Sequence, residues 1–228
     1  MPVVAENKLN VNTHSVQKTV VVSANKKTHY LIFKRSLDIV GALTGILLLF
    51  PLFFIIALLI KKEDPKGTIF FKQIRVGKDG NEFYMYKFRS MVSDAEDKLA
   101  ELLQFNEIEG AMFKIKKDPR ITKVGKFIRK TSIDELPQLW NVLMGDMSLV
   151  GPRPPLPREV AEYNTFHKQR LIVTPGCTGL WQVSGRNNMS FEEMVDLDLQ
   201  YISERSIYFD ITIIVKTVKV LFVTDNAY

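Results

Sequence analysis

Ile39-Val-Gly-Ala-Leu-Thr-Gly-Ile-Leu-Leu-Leu-Phe-Pro51-Leu-Phe-Phe-Ile-Ile-Ala-Leu-Leu-Ile60 runs 22 residues without a charged side chain. As an α-helix rising about 1.5 Å per residue it is about 33 Å long, the thickness of a bilayer's hydrocarbon core. A helix in a soluble core rarely runs that far without a charge, so this stretch reads as membrane helix. Pro51 interrupts it, with 12 residues before and 9 after. Proline lacks the N–H and clashes with the preceding turn, so the helix kinks or breaks there. Two readings stay open. One is a single kinked span, since proline is tolerated in such helices. The other is a re-entrant helix-break-helix that enters and leaves by one leaflet. Lys34 and Arg35 lie on one flank and Lys61, Lys62 and Lys66 on the other. Basic residues favour the cytoplasmic side of a membrane segment, so two basic flanks lean toward the re-entrant form.

Outward from this stretch the chain divides into three parts: a polar extension over 1–30, the membrane helix over 31–62 and a globular part over 63–228. The extension does not read as a signal peptide: it has no small-residue cleavage site, and the apolar stretch comes later and is too long. Of 228 residues, 46% are hydrophobic and 25% charged, ordinary for a folded protein and unlike a disordered or fibrous one. The net charge is +6. The lone Cys177 has no partner for an internal disulfide, and three scattered histidines (His14, His29, His167) argue against a zinc site.

In the globular part, Thr68–Lys72 and Phe83–Phe88 are rich in β-branched and aromatic residues and bracket Gly77-Lys-Asp-Gly80, a hairpin pattern. Ser93-Asp-Ala-Glu96 is a capping box that opens a helix to about Phe105. Lys114–Lys130 holds eight basic residues and one acid, Asp118. A helix is expected over Asp134–Met144, ending at Gly145. Gly151-Pro-Arg-Pro-Pro-Leu-Pro157 reads as a stiff irregular segment and Gly176–Gly185 as a loop. A helical pattern returns over Ser190–Glu204. Finally Ile207, Ile211, Ile214, Val215, Val218, Leu221 and Phe222 form an apolar stripe, with Lys216 and Lys219 off it. Such a helix either faces the core or lies in a membrane interface.

The chemistry concentrates in Ser132-Ile-Asp134-Glu135-Leu-Pro137. Proline is comfortable only in a helix's first turn, so both carboxylates are expected at the positive end of a helix. The plain explanation is a capping box of Ser132 and Glu135 with Asp134 favouring the dipole. The surroundings suggest more. Arg129 and Lys130 precede the pair and Arg153 follows in the proline segment, the ingredients of a phosphate site. Carboxylates beside phosphate have two uses: holding a divalent metal or attacking phosphorus. No nucleic-acid motif accompanies the basic run, and no Walker loop or dinucleotide fingerprint occurs. Asp196-Leu-Asp198 has a metal-binding form but falls in a helical pattern, where a solvated face explains it. Cys177 and His167 read as structural, and Pro154–Pro157 as a rigid loop rather than a polyproline ligand.

Five motifs then combine. Lys34-Arg-Ser-Leu-Asp38, Tyr86-Lys-Phe-Arg-Ser-Met91, Asp134-Glu-Leu-Pro-Gln-Leu-Trp-Asn141, Gly145-Asp-Met-Ser-Leu-Val-Gly-Pro-Arg-Pro154 and Pro175-Gly-Cys-Thr-Gly-Leu-Trp-Gln-Val-Ser-Gly-Arg-Asn187 occur in this order. Together they resemble the bacterial sugar transferases, or monotopic phosphoglycosyl transferases, over roughly residues 30 to 225. The extra transmembrane bundle of the family's longer members is absent from the sequence. The resemblance implies transfer of a sugar-1-phosphate from a UDP-sugar to undecaprenyl phosphate with release of UMP. That reaction is the first membrane step of exopolysaccharide, capsule or glycan synthesis. It implies Asp134 as nucleophile, forming a phosphosugar-aspartyl intermediate, and Glu135 as ligand of Mg²⁺. Arg129 and Arg153 become phosphate clamps, and Lys87, Arg89 and Arg186 substrate or phosphate contacts. Pro51 matches the family's helix break, favouring the re-entrant form.

The expected fold is thus α-dominant α+β: a re-entrant membrane helix, a small β-hairpin and amphipathic interfacial helices around a cytosolic-face active site. The expected location is the cytoplasmic face of a bacterial inner membrane, in contact with lipid and without nucleic acid, with a homodimer open through the terminal helix. UDP-galactose or UDP-glucose leads as donor and an N-acetylated UDP-sugar follows. A non-catalytic membrane scaffold with an anion pocket is the alternative. Cys177 stands where the family usually has an aliphatic residue and Thr174 where a basic one is common.

Overall fold

The computed structural model describes residues 22–25, 27–95, 97, 98, 102, 115, 118–185 and 189–223. The helix expected over 93–105 falls largely outside these residues. Helix α1 (Thr28–Glu63) contains the whole apolar stretch and continues through Pro51 without leaving helical conformation. At 36 residues it is about 54 Å long.

Strands β1 (Phe70–Val76) and β2 (Glu82–Phe88) form the expected antiparallel hairpin, pairing Phe71 with Lys87 and Lys72 with Tyr86. Asp79 and Gly80 turn it with φ of 57° and 84°, the left-handed geometry that aspartate and glycine tolerate. Helix α2 (Lys123–Lys130) is capped twice. Thr122 accepts from the Gly125 amide at 2.8 Å, and the Glu63 carboxylate at the end of α1 accepts from the Lys123 and Val124 amides. An acid over orphan N–H groups is the favourable arrangement at a helix start, and here it ties α2 to the end of the membrane helix.

Helix α3 (Gln138–Met144) ends at Gly145, φ 96°, as expected. Arg35 on α1 donates to the orphan carbonyls of Val142 and Leu143 at 2.6 and 2.8 Å, a cation on the negative helix end. Strand β3 (Ser148–Val150) runs parallel to β4 (Gly176–Thr178), with short helices α4 (Pro157–Ala161) and α5 (Thr165–Lys168) between them in sequence. The Gly176–Gly185 segment is therefore no simple loop: β4 is followed by helix α6 (Leu180–Ser184). Gly176 is there because β3 comes close; a Cβ would lie 2.0 Å from the Gly151 nitrogen.

Helix α7 (Phe191–Glu204) starts at a capping box of Ser190 and Glu193. Asp196 on it is exposed, but Asp198 is fully buried and accepts from Arg170 at 2.6 Å. This corrects the solvated-face reading of the Asp-x-Asp pair, since a pattern in sequence does not reveal the arginine 28 residues away. Helix α8 (Ile207–Val223) divides its apolar stripe: Ile214 is partly buried against the core, while Ile211, Val215 and Val218 are exposed, and the fully buried position is Ile213, off the stripe.

The described core has three parts. Val150, Val195, Leu199, Tyr201, Ile202 and Ile213 join β3, α7 and α8. Ala42, Met85, Val142 and Met147 join α1, β2 and α3. Ile56, Ile60, Phe88 and Ile128 join the far end of α1 to β2 and α2. Helix α1 thus packs on the globular part at Ala42 and again at Ile60, about 27 Å further along. Its remaining faces present Val40, Leu47, Leu48, Phe50 and Phe54 to the surroundings. Trp140 and Met144 on α3 and Phe127 on α2 are also exposed. So much exposed apolar surface beside so long an apolar helix belongs to a membrane-associated protein.

Candidate active site

Asp134 and Glu135 lie not in an α-helix's first turn but in a 3₁₀ turn, Ile133–Glu135, just before α3. Pro137 explains the difference. It has no N–H to give the Ile133 carbonyl, so the tighter bonds Glu135 N–Ser132 O and Leu136 N–Ile133 O carry the turn. Ser132 enters it in left-handed conformation, φ 56°, and makes no side-chain cap. The capping box with Glu135 does not form, and both carboxylates are left for other partners.

Lys87 of β2 is one of them: its Nζ donates to Glu135 Oε1 at 2.7 Å. The approach of β2 is set by Asn141, which has no exposed surface. Its side-chain oxygen accepts from the Tyr86 amide at 3.0 Å, and its nitrogen donates to the Tyr84 carbonyl at 2.7 Å. One amide of α3 thereby acts as a strand neighbour to β2 and holds Lys87 opposite the turn.

The proline segment supplies the next cations. The β1 residues Arg75 and Val76 donate to the carbonyls of Pro154 and Pro155, both at 2.9 Å, and so fix the loop that carries Arg153. Arg153 donates to Glu159 at 3.4 Å. Arg75 was not singled out from the sequence, where it is one basic residue in a strand. Its burial, 6% exposed, is what marks it. Burial, then the charge of Arg153, lowers its pKa to about 10.

The two carboxylates are shifted in opposite directions. Burial pushes Asp134 up to about 6; the positive charges of Lys87 and Arg129 oppose this and Glu135 adds to it. Burial also acts on Glu135, but the charge and hydrogen bond of Lys87, with Arg153 and Arg75, outweigh it and hold it below the ordinary carboxylate range. Neighbouring acids with diverging pKa values are assigned different tasks in acid–base and phosphoryl chemistry. Glu135 holds its charge the more firmly and Asp134 is the more basic.

Lys87, Arg129 and Arg153 therefore surround the pair, joined by Arg75. Arg89 is held by Thr68, donating to its hydroxyl at 2.6 Å, and Arg186 lies outside the described residues. Magnesium prefers oxygen ligands and commonly takes one or two carboxylates with phosphate and water completing the shell. Glu135, ionised and half-exposed, fits that use. Among the described residues no three His, Cys, Asp or Glu side chains gather into an all-protein cage.

A buried carboxylate of raised pKa, a neighbouring ionised one and a group of cations thus meet at the 3₁₀ turn. The chain belongs to the bacterial sugar transferase family, whose sequence profile matches residues 29–224. It is 54% identical over 202 residues to galactosyl transferase CpsE of Streptococcus agalactiae, covering 88% of this chain and 44% of that protein. The undecaprenyl-phosphate galactose phosphotransferase of Salmonella typhimurium is 45% identical over 209 residues, covering 90% and 43%. The exopolysaccharide production protein ExoY of Rhizobium meliloti is 40% identical over 199 residues, covering 86% and 88%. The chain thus spans less than half of the first two relatives and most of the third.

Proposed function

We propose that this protein transfers a hexose-1-phosphate, galactose-1-phosphate foremost, from its UDP-sugar to undecaprenyl phosphate, opening the assembly of an exopolysaccharide or capsule. The observation that carries this is the Asp134–Glu135 turn with Lys87 closed on Glu135, in a chain that matches the galactose transferases above over 202 and 209 residues.

Asp134 attacks the β-phosphorus of the UDP-sugar. The bond from that phosphorus to the bridging oxygen breaks, and UMP leaves with the electron pair. An oxygen of the acceptor phosphate then attacks the same phosphorus, releasing the Asp134 carboxylate and yielding the lipid diphosphosugar. Burial makes Asp134 a more basic nucleophile than a solvated aspartate, yet with a pKa near 6 it is ionised at neutral pH. Lys87, Arg129, Arg153 and Arg75 spread the charge that phosphoryl transfer concentrates. Glu135 would hold Mg²⁺, which when bound supplies further charge neutralisation at the phosphates.

The re-entrant arrangement is part of the same proposal. Asp38, near the start of α1, accepts from the Leu149 amide at 2.9 Å; Glu63, at its end, accepts from the α2 amides. A helix crossing the bilayer would carry these residues to opposite sides, whereas a re-entrant one keeps both against one globular part. The basic flanks support the cytoplasmic face as the side that carries that part.

The test is UMP release by the purified chain in detergent with undecaprenyl phosphate, Mg²⁺ and a panel of UDP-sugars, N-acetylated ones included. Release with UDP-galactose or UDP-glucose, lost in Asp134→Asn and on chelation, is the expected result. Release unaffected by Asp134→Asn overturns the covalent mechanism, and none with any sugar overturns the reaction.

A further inference from the structure

Helix α2 carries the cations Lys123, Lys126, Arg129 and Lys130 and has no acid in its first turn. Its end runs straight into the dyad. The Ser132 amide donates to the Arg129 carbonyl at 3.1 Å, and the Glu135 amide donates to Ser132 at 3.2 Å. Arg129 is close enough for its charge to act on Asp134. We infer that Glu63, at the end of the membrane helix, is a positioning residue for the transfer reaction: by gripping the start of α2 it sets where Arg129 stands against Asp134. This rests on the reaction proposed above and adds to it a residue outside the dyad and its cations.

The first amides of α2 are all accounted for, by unlike means. Thr122 donates its own amide to the Ser90 carbonyl at 3.1 Å, and its hydroxyl oxygen accepts from Gly125 at 2.8 Å. Between them, the amides of Lys123 and Val124 each take one oxygen of Glu63, at 2.7 and 2.9 Å. A helix start leaves four such donors, so one carboxylate closes two of them. The positive end of a helix favours an anion, and here the Lys123 ammonium adds to that field. With no acid in the first turn of α2, the charge comes from 60 residues away.

What holds α2 in place differs from what sets its tilt. Ile128, with no exposed surface, packs with Ile56, Ile60 and Phe88. Gly125 lies so close to the chain leaving β2 that a Cβ would stand 1.9 Å from the Ser90 carbonyl oxygen. Both contacts lie midway or later along α2, where they resist displacement of the helix more than its tilt. Glu63 acts at the first turn, where leverage over tilt is greatest. Arg129 lies six residues beyond Lys123, about 9 Å along the axis, so movement at one end of the helix is felt at the other.

The next residue serves the strand side. Asp64 accepts from the Ser93 and Gly67 amides, both at 3.0 Å, and so ties down the chain that leaves β2. The end of α1 therefore reaches both segments that bring cations to the dyad, Lys87 on β2 and Arg129 on α2.

Glu63 is itself exposed, so its contribution is geometric more than one of burial. Misplacing a catalytic group by about 1 Å can cost on the order of 100-fold in rate. Because Ile128 and Gly125 share the work, a loss of about tenfold is expected when Glu63 is removed.

The experiment follows the stoichiometric UMP burst from UDP-galactose, with Mg²⁺ and without acceptor, using the full chain in detergent. Glu63→Ala and Arg129→Ala are compared singly and together, and Glu63→Gln is tested in both backgrounds. Glu63→Ala should slow the burst about tenfold and Glu63→Gln, which keeps one acceptor oxygen, about threefold. Neither should slow it further once Arg129→Ala is present, because the residue through which Glu63 acts is gone. Should Glu63→Ala not fold, the same comparison is read from Glu63→Gln. Equal proportional losses in both backgrounds make Glu63 a structural cap and overturn the inference. So does a wild-type burst in Glu63→Ala. A wild-type chain with no burst overturns the underlying reaction instead, and that outcome is read from the unmodified protein alone.

Discussion

Lys87 Nζ and Glu135 Oε1 meet at 2.7 Å across 48 residues of sequence, bringing a hairpin strand and a 3₁₀ turn to a single point. The ammonium serves both acids. It is the largest influence holding Glu135 down and the largest opposing the burial of Asp134.

Adduct formation should accordingly depend on pH through Asp134. The attacking form is the carboxylate, so the burst rate, followed with Mg²⁺ present, falls as pH drops through about 6. Lys87→Met removes the main opposing charge, and the midpoint should move upward with the burst rate falling about 10- to 100-fold. A pH–rate profile of the burst in both proteins checks this; an unmoved midpoint would disconnect Lys87 from Asp134.

Asp134→Asn should abolish the burst and raise stability. Its folded pKa lies above the ordinary 3.8, so burying the charged form opposes folding once the pH exceeds that value. Stability from this group is full below pH 3.8 and is lost as pH rises through about 6. At pH 7.5 without metal, the neutral asparagine should therefore be more stable by on the order of 2 kcal/mol, a difference that vanishes near pH 4. Thermal unfolding across that range gives the answer.

Arg75→Met keeps the bulk of the side chain and removes its charge and its bond to the Pro154 carbonyl. Both the field at Glu135 and the seat of the Arg153 loop suffer. The expected outcome is a loss in kcat/KM for the UDP-sugar of about tenfold or more, with turnover of the acceptor by preformed adduct less affected. Equal losses in both half-reactions would make Arg75 a purely structural residue.

Asp210, with no exposed surface, accepts from Lys34, Tyr30 and Tyr201, joining α1, α7 and α8. Asp210→Ala leaves the Lys34 ammonium buried and unpaired, at a cost of about 3–5 kcal/mol. The double variant Lys34→Met/Asp210→Leu should recover much of that loss. Melting temperatures in one detergent, compared across the three proteins, measure it.

Several elements could be read directly because their causes are local. The Gly77–Gly80 turn needs residues that accept positive φ, α3 stops where Gly145 does, and Ser190 with Glu193 starts α7 within four residues. The dyad was legible as a motif for the same reason, being contiguous. Its local conformation was not: Ser132 suggested a cap, but the missing Pro137 N–H favours a 3₁₀ turn. Arg75 and Asp198 carry no such mark, since what matters is burial against Pro154 in one case and Arg170 in the other.

By itself, then, the sequence determined an apolar helix long enough for a membrane, a hairpin and an acid pair among cations, because each follows from hydrophobicity, turn chemistry or adjacency along the chain. Only the tertiary structure decided that Lys87 closes on Glu135, that Arg75 is buried behind Arg153, that α1 packs on the body near both ends, and that Glu63 closes the start of α2. Those relations join residues tens to more than a hundred positions apart. They depend on how helices pack and which charges are desolvated together, and no local pattern encodes either.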